Sequence, residues 1–185
     1  MLGFVLVAAG VAGLVGTSVA AVGGLPSGGI SQAAPFGGIT TNPTCSPPQL
    51  GGHIVDVNFD DMTGMNGANM MGGGHMMKVT ASVSTVAAGE ISFRALNSGM
   101  MTHELLVLPL SAGGPGTRPV GTDGRVSEAG SLGEASKSCG EGAGDGIAPG
   151  AISWVTVRLS PGPYELVCNQ PGHYAMGMFT RFDVT

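Results

Sequence analysis

Three side chains that can bind a metal follow one another near the C-terminal end of the chain. Cys168, His173 and Met178 are separated by four residues each, within the run CNQPGHYAMGM. A thiolate and a thioether are soft ligands that suit Cu(I), and imidazole suits both oxidation states of copper. One short loop therefore offers three ligands for a copper ion.

A second imidazole must come from elsewhere in the fold to complete a known ligand set. Two histidines and one cysteine in a trigonal arrangement, with a weak axial methionine, form the blue-copper electron-transfer site. His103 suits this role because it follows the loop 97–102 and begins the short apolar run 104–109. The predicted ligands for one copper ion are His103, Cys168, His173 and, in the axial position, Met178.

Short strands must position these residues, because apolar and polar side chains alternate with a period of two along much of the chain. The predicted strands lie within 53–59, 78–84, 90–97, 104–109, 152–159, 164–168 and 178–184. Gly and Pro turns between them indicate an all-β fold, an antiparallel β-sandwich. The glycine-rich segment 111–150 interrupts this rhythm as a long loop that is either functional or poorly ordered, with one short helix expected at 128–137.

Composition restricts the class of protein. Gly 34 and Pro 12 among 185 residues disfavour long helices. Only 10% of the residues are charged and the formal net charge is -5, whereas a nucleic-acid binder needs a basic surface. We therefore expect no nucleic-acid partner.

The N-terminal part has a different character from the rest. Residues 1–22 carry no charged side chain, which predicts a signal peptide or a membrane anchor, an apolar helix. Residues 23–50 are rich in Gly, Pro and Ser and indicate a flexible linker, a tether to the domain 51–185. These features predict an extracytoplasmic protein, secreted or held at the membrane through its N-terminus.

The chain has three cysteines, an odd number that leaves one thiol free in an exported protein. The simplest arrangement pairs Cys45 with Cys139 as a disulfide. It leaves Cys168 for metal chemistry.

A methionine-rich segment, 61–77, contains six methionines and His75. Thioethers bind Cu(I), so a second copper site is conceivable at Met70, Met71, His75 and Met76. The competing interpretation, which we favour, is a loop whose soft side chains cover the apolar end of the sandwich or form a docking surface.

The chain resembles the cupredoxin family of blue, type 1 copper proteins, and within that family it resembles the sulfocyanin/rusticyanin-like branch most. The resemblance covers about 51–185 and is carried by THEL at 102–105 and CNQPGHY at 168–174. It implies a Greek-key β-sandwich with copper near one end, and an electron path through His173. Met176 is a weaker candidate than Met178 for the axial ligand, because its spacing does not match this branch. Glu104 stands where several members carry Asn or Ser, which tie the two ligand loops together.

The expected function is one-electron transfer by an outer-sphere mechanism between redox protein partners. The alternative is a copper-binding or delivery protein that uses the methionine-rich segment. A copper enzyme is disfavoured because further metal sites use many histidines, and the chain has only four. Burial, the thioether and the few charges expected nearby favour Cu(I) and a high reduction potential.

Overall fold

Strands form the whole framework of the protein in this computed structural model, which describes residues 45–61 and 77–185. Within those two ranges no residue is helical. The nine strands are β1 (His53–Asp60), β2 (Lys78–Ala81), β3 (Thr85–Val86), β4 (Gly89–Asn97), β5 (Leu105–Pro109), β6 (Gly133–Ala135), β7 (Ile152–Leu159), β8 (Gly162–Val167) and β9 (Phe179–Val184).

The strands make two sheets that pack as a β-sandwich. The four-stranded sheet has the order β2-β1-β4-β7, and the five-stranded sheet has the order β3-β9-β8-β5-β6. The predicted all-β sandwich is therefore confirmed. The sheets are mixed rather than purely antiparallel, because β1 pairs with β4 and β3 with β9 in parallel.

The core lies between the two sheets and follows from the period-two pattern. Val55, Val57 and Phe59 alternate inward along β1, and their neighbours face outward. Across the sandwich, Phe93 of β4 meets Phe182 of β9 with ring centroids 5.3 Å apart. Alternating burial of this kind is what pins the register of a strand whose one face is buried.

Strand β5 is buried on both faces, as its continuous apolar run predicts. Leu105 and Val107 face the main core, whereas Leu106 and Leu108 enter a smaller apolar cluster with Val126 on the other side of the sheet. Val126 from between β5 and β7 and Tyr174 from between β8 and β9 supply this second cover, and Phe179 of β9 packs against it. The short helix expected at 128–137 is wrong, because this segment contains β6, which pairs with β5 in an antiparallel register.

The regions 1–44 and 62–76 lie outside the described residues, so the anchor and most of the linker do too. In the part of the chain that is described, no helix has the length and apolar character needed to cross a bilayer. Residues 45–50 precede β1 without forming a strand.

A disulfide joins Cys45 to Cys139, whose Cα atoms lie 5.0 Å apart. It links the start of the described domain to the long segment between β5 and β7. The two cysteines are 94 residues apart in sequence, so the bond restricts a large loop in the unfolded chain.

Replacing both cysteines in Cys45→Ala/Cys139→Ala should lower the free energy of unfolding by roughly 2–5 kcal/mol. The measurement is urea denaturation of the wild-type protein and the double variant. A reductant should lower the wild-type midpoint and leave that of the variant unchanged. Equal midpoints for the two proteins would contradict this role of the disulfide.

Candidate metal centre

Three buried side chains converge at one end of the sandwich. The Nδ1 atoms of His103 and His173 lie 3.2 Å apart. The Cys168 Sγ atom lies 3.4 Å from Nδ1 of His173 and 3.6 Å from Nδ1 of His103. Together these atoms form a compact triangle of one sulfur and two nitrogens, and all three residues are buried.

The triangle has the dimensions of a metal site. A point equidistant from its corners lies about 2 Å from each atom, close to the roughly 2.0–2.1 Å of a zinc–imidazole bond and the roughly 2.3 Å of a zinc–thiolate bond. Two imidazole nitrogens and one sulfur also match the donor set of the blue-copper site. These three residues therefore fit a bound copper ion.

Strand ends bring the three residues together. His103 lies just before β5, where it forms an isolated antiparallel bridge with Ile147, and its ring stacks on Phe59 of β1 at 5.4 Å. Cys168 follows β8 directly. The ends of both sheets thus contribute to placing the His103 ring over the ligand loop.

The ligand loop, residues 168–178, connects β8 to β9 and is closed by its own backbone. The Cys168 N–H donates to the Met178 carbonyl at 2.9 Å, and the Met178 N–H donates to the His173 carbonyl at 3.1 Å. Gly172 has a φ of 84°, a left-handed conformation that glycine adopts without steric cost. This turn brings His173 back toward Cys168.

The fourth predicted ligand, Met178, is fully buried in the main core. Met176 is 43% exposed, which disfavours it as a ligand for a buried ion. The assignment of Met178 as the axial ligand remains a prediction.

Burial sets the protonation of the three residues that converge. It raises the pKa of the Cys168 thiol to about 12. It also lowers the pKa of His173 to about 4, with the nearby His103 as a smaller cause. Burial lowers the pKa of His103 as well, although the carboxylate of Asp61 opposes that change. At neutral pH the metal-free site therefore contains a thiol and two neutral imidazoles.

Glu104, the residue before β5, connects that strand to the ligand loop. Its backbone N–H lies 3.5 Å from the Cys168 Sγ atom and donates toward it. Its carboxylate accepts hydrogen bonds from Gln170 at 2.7 Å and from Arg125 at 3.2 Å. Arg125 also donates to the Asn169 carbonyl at 2.7 Å, so the link to the ligand loop is made by the Glu104 side chain and an ion pair.

The segment between β5 and β7 covers the ligand loop, which gives this long segment a structural purpose. Asn169 is fully buried, donates to the Val126 carbonyl at 3.1 Å and accepts from the Val126 N–H at 2.7 Å. The Gly172 N–H donates to the Gly124 carbonyl at 2.8 Å. The segment is therefore held against the ligand loop by backbone and side-chain hydrogen bonds.

A second polar network fixes the same segment to the other side of the ligand loop. The buried Glu165 carboxylate accepts from the Gly116 N–H at 2.7 Å, from Arg118 at 2.8 Å and from the Tyr174 hydroxyl at 3.0 Å. Two of these donors belong to the long segment and the third to the ligand loop, so this carboxylate joins β8 to both of them.

Asp61, which directly follows β1, contacts the candidate ligand His103. Its Oδ2 atom lies 3.2 Å from His103 Nε2, the ring nitrogen that faces away from the triangle. The sequence interpretation missed this residue, as it missed the roles of Arg125 and Glu165. The expectation of few charges near the site is wrong, because Asp61, Glu104 and Arg125 all lie around it.

The proposed second copper site at Met70, Met71, His75 and Met76 lies outside the described residues. The two described ends of the methionine-rich segment lie near His103 and the ligand loop. Asp61 contacts His103, and the Met77 carbonyl oxygen lies 3.7 Å from the position a Cβ would take at Gly177.

Binding of a divalent ion at the triangle should release about one proton per ion at pH 7, because the Cys168 thiol must lose its proton and both imidazoles are already neutral. Affinity should fall about tenfold for each pH unit below the Cys168 thiol pKa of about 12, and more steeply below about 4, where His173 also takes up a proton. Zn²⁺ titration with a pH indicator in weak buffer measures the release. The variant Cys168→Ala should release none, and a wild-type protein that binds Zn²⁺ without proton release would contradict the assignment.

Replacing the buried Asn169 in Asn169→Ala should lower the free energy of unfolding by about 1–3 kcal/mol, since it leaves the Val126 backbone groups without partners. Hydrogen exchange at 124–128 should become faster. The control Asn58→Ala removes a hydrogen bond to Ser98 at the surface and should change stability by less than about 0.5 kcal/mol. Equal effects of the two variants would contradict the covering role of the long segment.

The solved structures that are similar to this chain have low sequence identity to it. No family model matches the chain, and no curated protein matches it either. Reduced auracyanin from Roseiflexus castenholzii is 17% identical, with 72% of this chain and 96% of that chain covered and a TM-score of 0.42. Rusticyanin from Thiobacillus ferrooxidans is 16% identical, covering 73% and 79% with a TM-score of 0.45, and auracyanin B is 16% identical, covering 77% and 95% with a TM-score of 0.46.

The residue roles given above rest on the geometry of this chain, because sequence identities of 16–17% do not show which residues bind a metal. The two-sheet sandwich and the cluster of His103, Cys168 and His173 fit a blue copper site. Both features agree with what the resemblance of the sequence motifs to the cupredoxins implies.

Proposed function

We propose that this chain is a type 1 copper protein that carries single electrons outside the cytoplasm. The observation that carries the proposal is the buried triangle of His103, Cys168 and His173, whose donor atoms lie 3.2–3.6 Å apart. Such a donor set suits both oxidation states of copper. One copper ion per domain is proposed, with Met178 as the weak axial ligand.

A bound copper ion would supply the one-electron chemistry, and the chain would supply fixed ligand positions. The ligand loop is closed by the hydrogen bonds between Cys168, His173 and Met178. Glu104 and Arg125 connect it to the His103 strand. Ligands that are held from several directions move little when the charge of the site changes, which favours fast electron transfer without bond making.

The surface around the site supports outer-sphere transfer to a docked partner. His173 is only 3% exposed, whereas Met100, Met101 and Met176 are 67%, 47% and 43% exposed. Met100 and Met101 belong to the loop before His103, and Met176 belongs to the ligand loop. These thioethers would exclude water where a redox protein partner approaches His173.

The disulfide between Cys45 and Cys139 supports an extracytoplasmic location, because such bonds persist in oxidising compartments. The proposed signal peptide or membrane anchor at 1–22 and the tether that follows agree with it. We propose no enzymatic activity and no nucleic-acid partner for this chain.

Copper delivery remains the competing function. The observation that favours it concerns the two described ends of the methionine-rich segment: Asp61 contacts the candidate ligand His103, and the Met77 carbonyl oxygen lies beside Gly177 of the ligand loop. A carrier should retain Cu(I) against a competing chelator. A delivery protein should lose it rapidly, and more slowly once Met70, Met71 and Met76 are replaced.

The full chain loaded with Cu²⁺ should be intensely coloured, because a thiolate bound to Cu(II) gives a strong charge-transfer band in the visible region. The variant Cys168→Ser should lose this band and keep a strand-rich circular dichroism spectrum. The matched control Cys45→Ser/Cys139→Ser removes the other two cysteine sulfurs and should keep the band.

A colourless wild-type Cu(II) protein would overturn the blue-copper proposal. Survival of the band in Cys168→Ser would show that another group is the thiolate ligand. Reversible one-electron voltammetry of the wild-type protein supports the carrier role, and an irreversible couple would contradict it.

A further inference from the structure

We propose that Asp61 is a positioning residue that fixes the orientation of His103 and stabilises the oxidised state of the site. This inference rests on the proposed function, because it concerns how the chain tunes a bound copper ion. It goes beyond the ligands themselves and assigns a role to a carboxylate that the sequence pattern did not reveal.

The geometry places one carboxylate behind one ligand ring. His103 presents Nδ1 to Cys168 and His173, and its Nε2 atom lies 3.2 Å from the Asp61 Oδ2 atom. The His103 ring is fully buried and the Asp61 side chain is only 4% exposed. A ring whose Nε2–H donates to a carboxylate must keep Nδ1 as its lone pair, so Asp61 selects the tautomer that can bind the metal.

Asp61 is held in place independently of His103. The Met100 N–H lies 2.8 Å from Oδ1 and 3.0 Å from Oδ2, and the Met101 N–H lies 2.7 Å from Oδ2. The loop also approaches so closely that a Cβ at Gly99 would lie 2.6–2.7 Å from the carboxylate atoms. The carboxylate is therefore fixed by the backbone of the loop that leads to His103.

The negative charge of the Asp61 carboxylate affects the two oxidation states of copper differently. Three donors face the Asp61 carboxylate, the N–H groups of Met100 and Met101 and the His103 ring, and hydrogen bonds of this kind favour the charged form of a carboxylate. A negative charge behind a ligand ring makes the imidazole a stronger donor. It stabilises Cu(II) more than Cu(I), and it therefore lowers the reduction potential relative to a neutral side chain.

A purely structural role makes a different prediction. If Asp61 only caps the loop 97–102, its charge is unimportant and any side chain that accepts the same hydrogen bonds should suffice. Asparagine is a suitable probe, because its amide oxygen in the position of Oδ2 keeps the contacts to Met100, Met101 and His103. The variant Asp61→Asn thus removes the charge and the Met100 contact at Oδ1, and it retains the three contacts at Oδ2.

The test compares Asp61→Asn with the matched control Asp60→Asn, which removes the same charge one residue earlier in the chain. The first readout is the reduction potential of each copper-loaded full chain, with Cu(II) and Cu(I) affinities from chelator competition. We expect Asp61→Asn to weaken Cu(II) binding by about tenfold and Cu(I) binding much less, within the roughly 10–100-fold range of such outer-shell replacements. A tenfold fall in the ratio of the Cu(II) affinity to the Cu(I) affinity raises the reduction potential of a one-electron couple by about 59 mV.

The second readout needs no copper. In the metal-free wild-type protein, NMR should show His103 as the Nε2–H tautomer with a slowly exchanging ring proton. That proton should persist in Asp61→Asn and exchange rapidly in Asp61→Ala.

The outcomes separate this inference from the proposed function. A positive shift in Asp61→Asn that clearly exceeds that of Asp60→Asn supports the role of Asp61. An unchanged or lower potential in Asp61→Asn, an equal shift in both variants, or an Nδ1–H tautomer of His103 would overturn it. A wild-type protein that binds no copper would overturn the proposed function and the redox part of this inference, and it is recognised before any variant is made.

Discussion

Two imidazole nitrogens and a sulfur lie 3.2–3.6 Å from one another in the interior of the protein, and the rest of the structure depends on keeping them there. Polar groups are costly to bury unless each has a partner. These three face one another, so their geometry is sustained by the elements around them: Phe59 beneath the His103 ring, Asp61 behind it and the closed backbone of the ligand loop.

The long segment between β5 and β7 contains many of the protein's glycines and charged residues. Its residues cover the outer face of β5, where Val126 joins Leu106 and Leu108 in a second apolar cluster. They also place Arg118 beside Glu165, and Arg125 beside Glu104, two ion pairs with buried carboxylates. Such pairs add little net stability, but removal of one partner destabilises the protein strongly because it leaves a buried charge unpaired. The two pairs therefore favour one arrangement of the long segment against the metal centre.

The sequence predicted the features that depend on local pattern. Alternation in β1 and β4 predicted strands with one buried face, and the unbroken apolar run of β5 predicted burial on both faces. The spacing of Cys168 and His173 predicted two of the converging side chains, because a tight loop between adjacent strands brings such residues together. His103 was found from its position before a buried strand.

The features that were missed depend on contacts between distant parts of the chain. Asp61 and His103 are 42 residues apart, and Asn169 and Val126 are 43 apart, so no local pattern signals either pair. The parallel pairing of β1 with β4 likewise follows from how the strands return across the sandwich. The helix expected at 128–137 failed for a related reason, because β6 pairs with β5 and tertiary pairing overrides weak local preference.

X-ray absorption at the copper K edge, recorded on the loaded full chain in both oxidation states, tests the central claim most directly. That claim is that the triangle of His103, Cys168 and His173 is formed by the fold and binds copper with little rearrangement. The account predicts a first shell of two nitrogens and one sulfur in the oxidised and the reduced protein, with nearly the same distances. A shell of nitrogen and oxygen alone, or loss of the sulfur on oxidation, would contradict it.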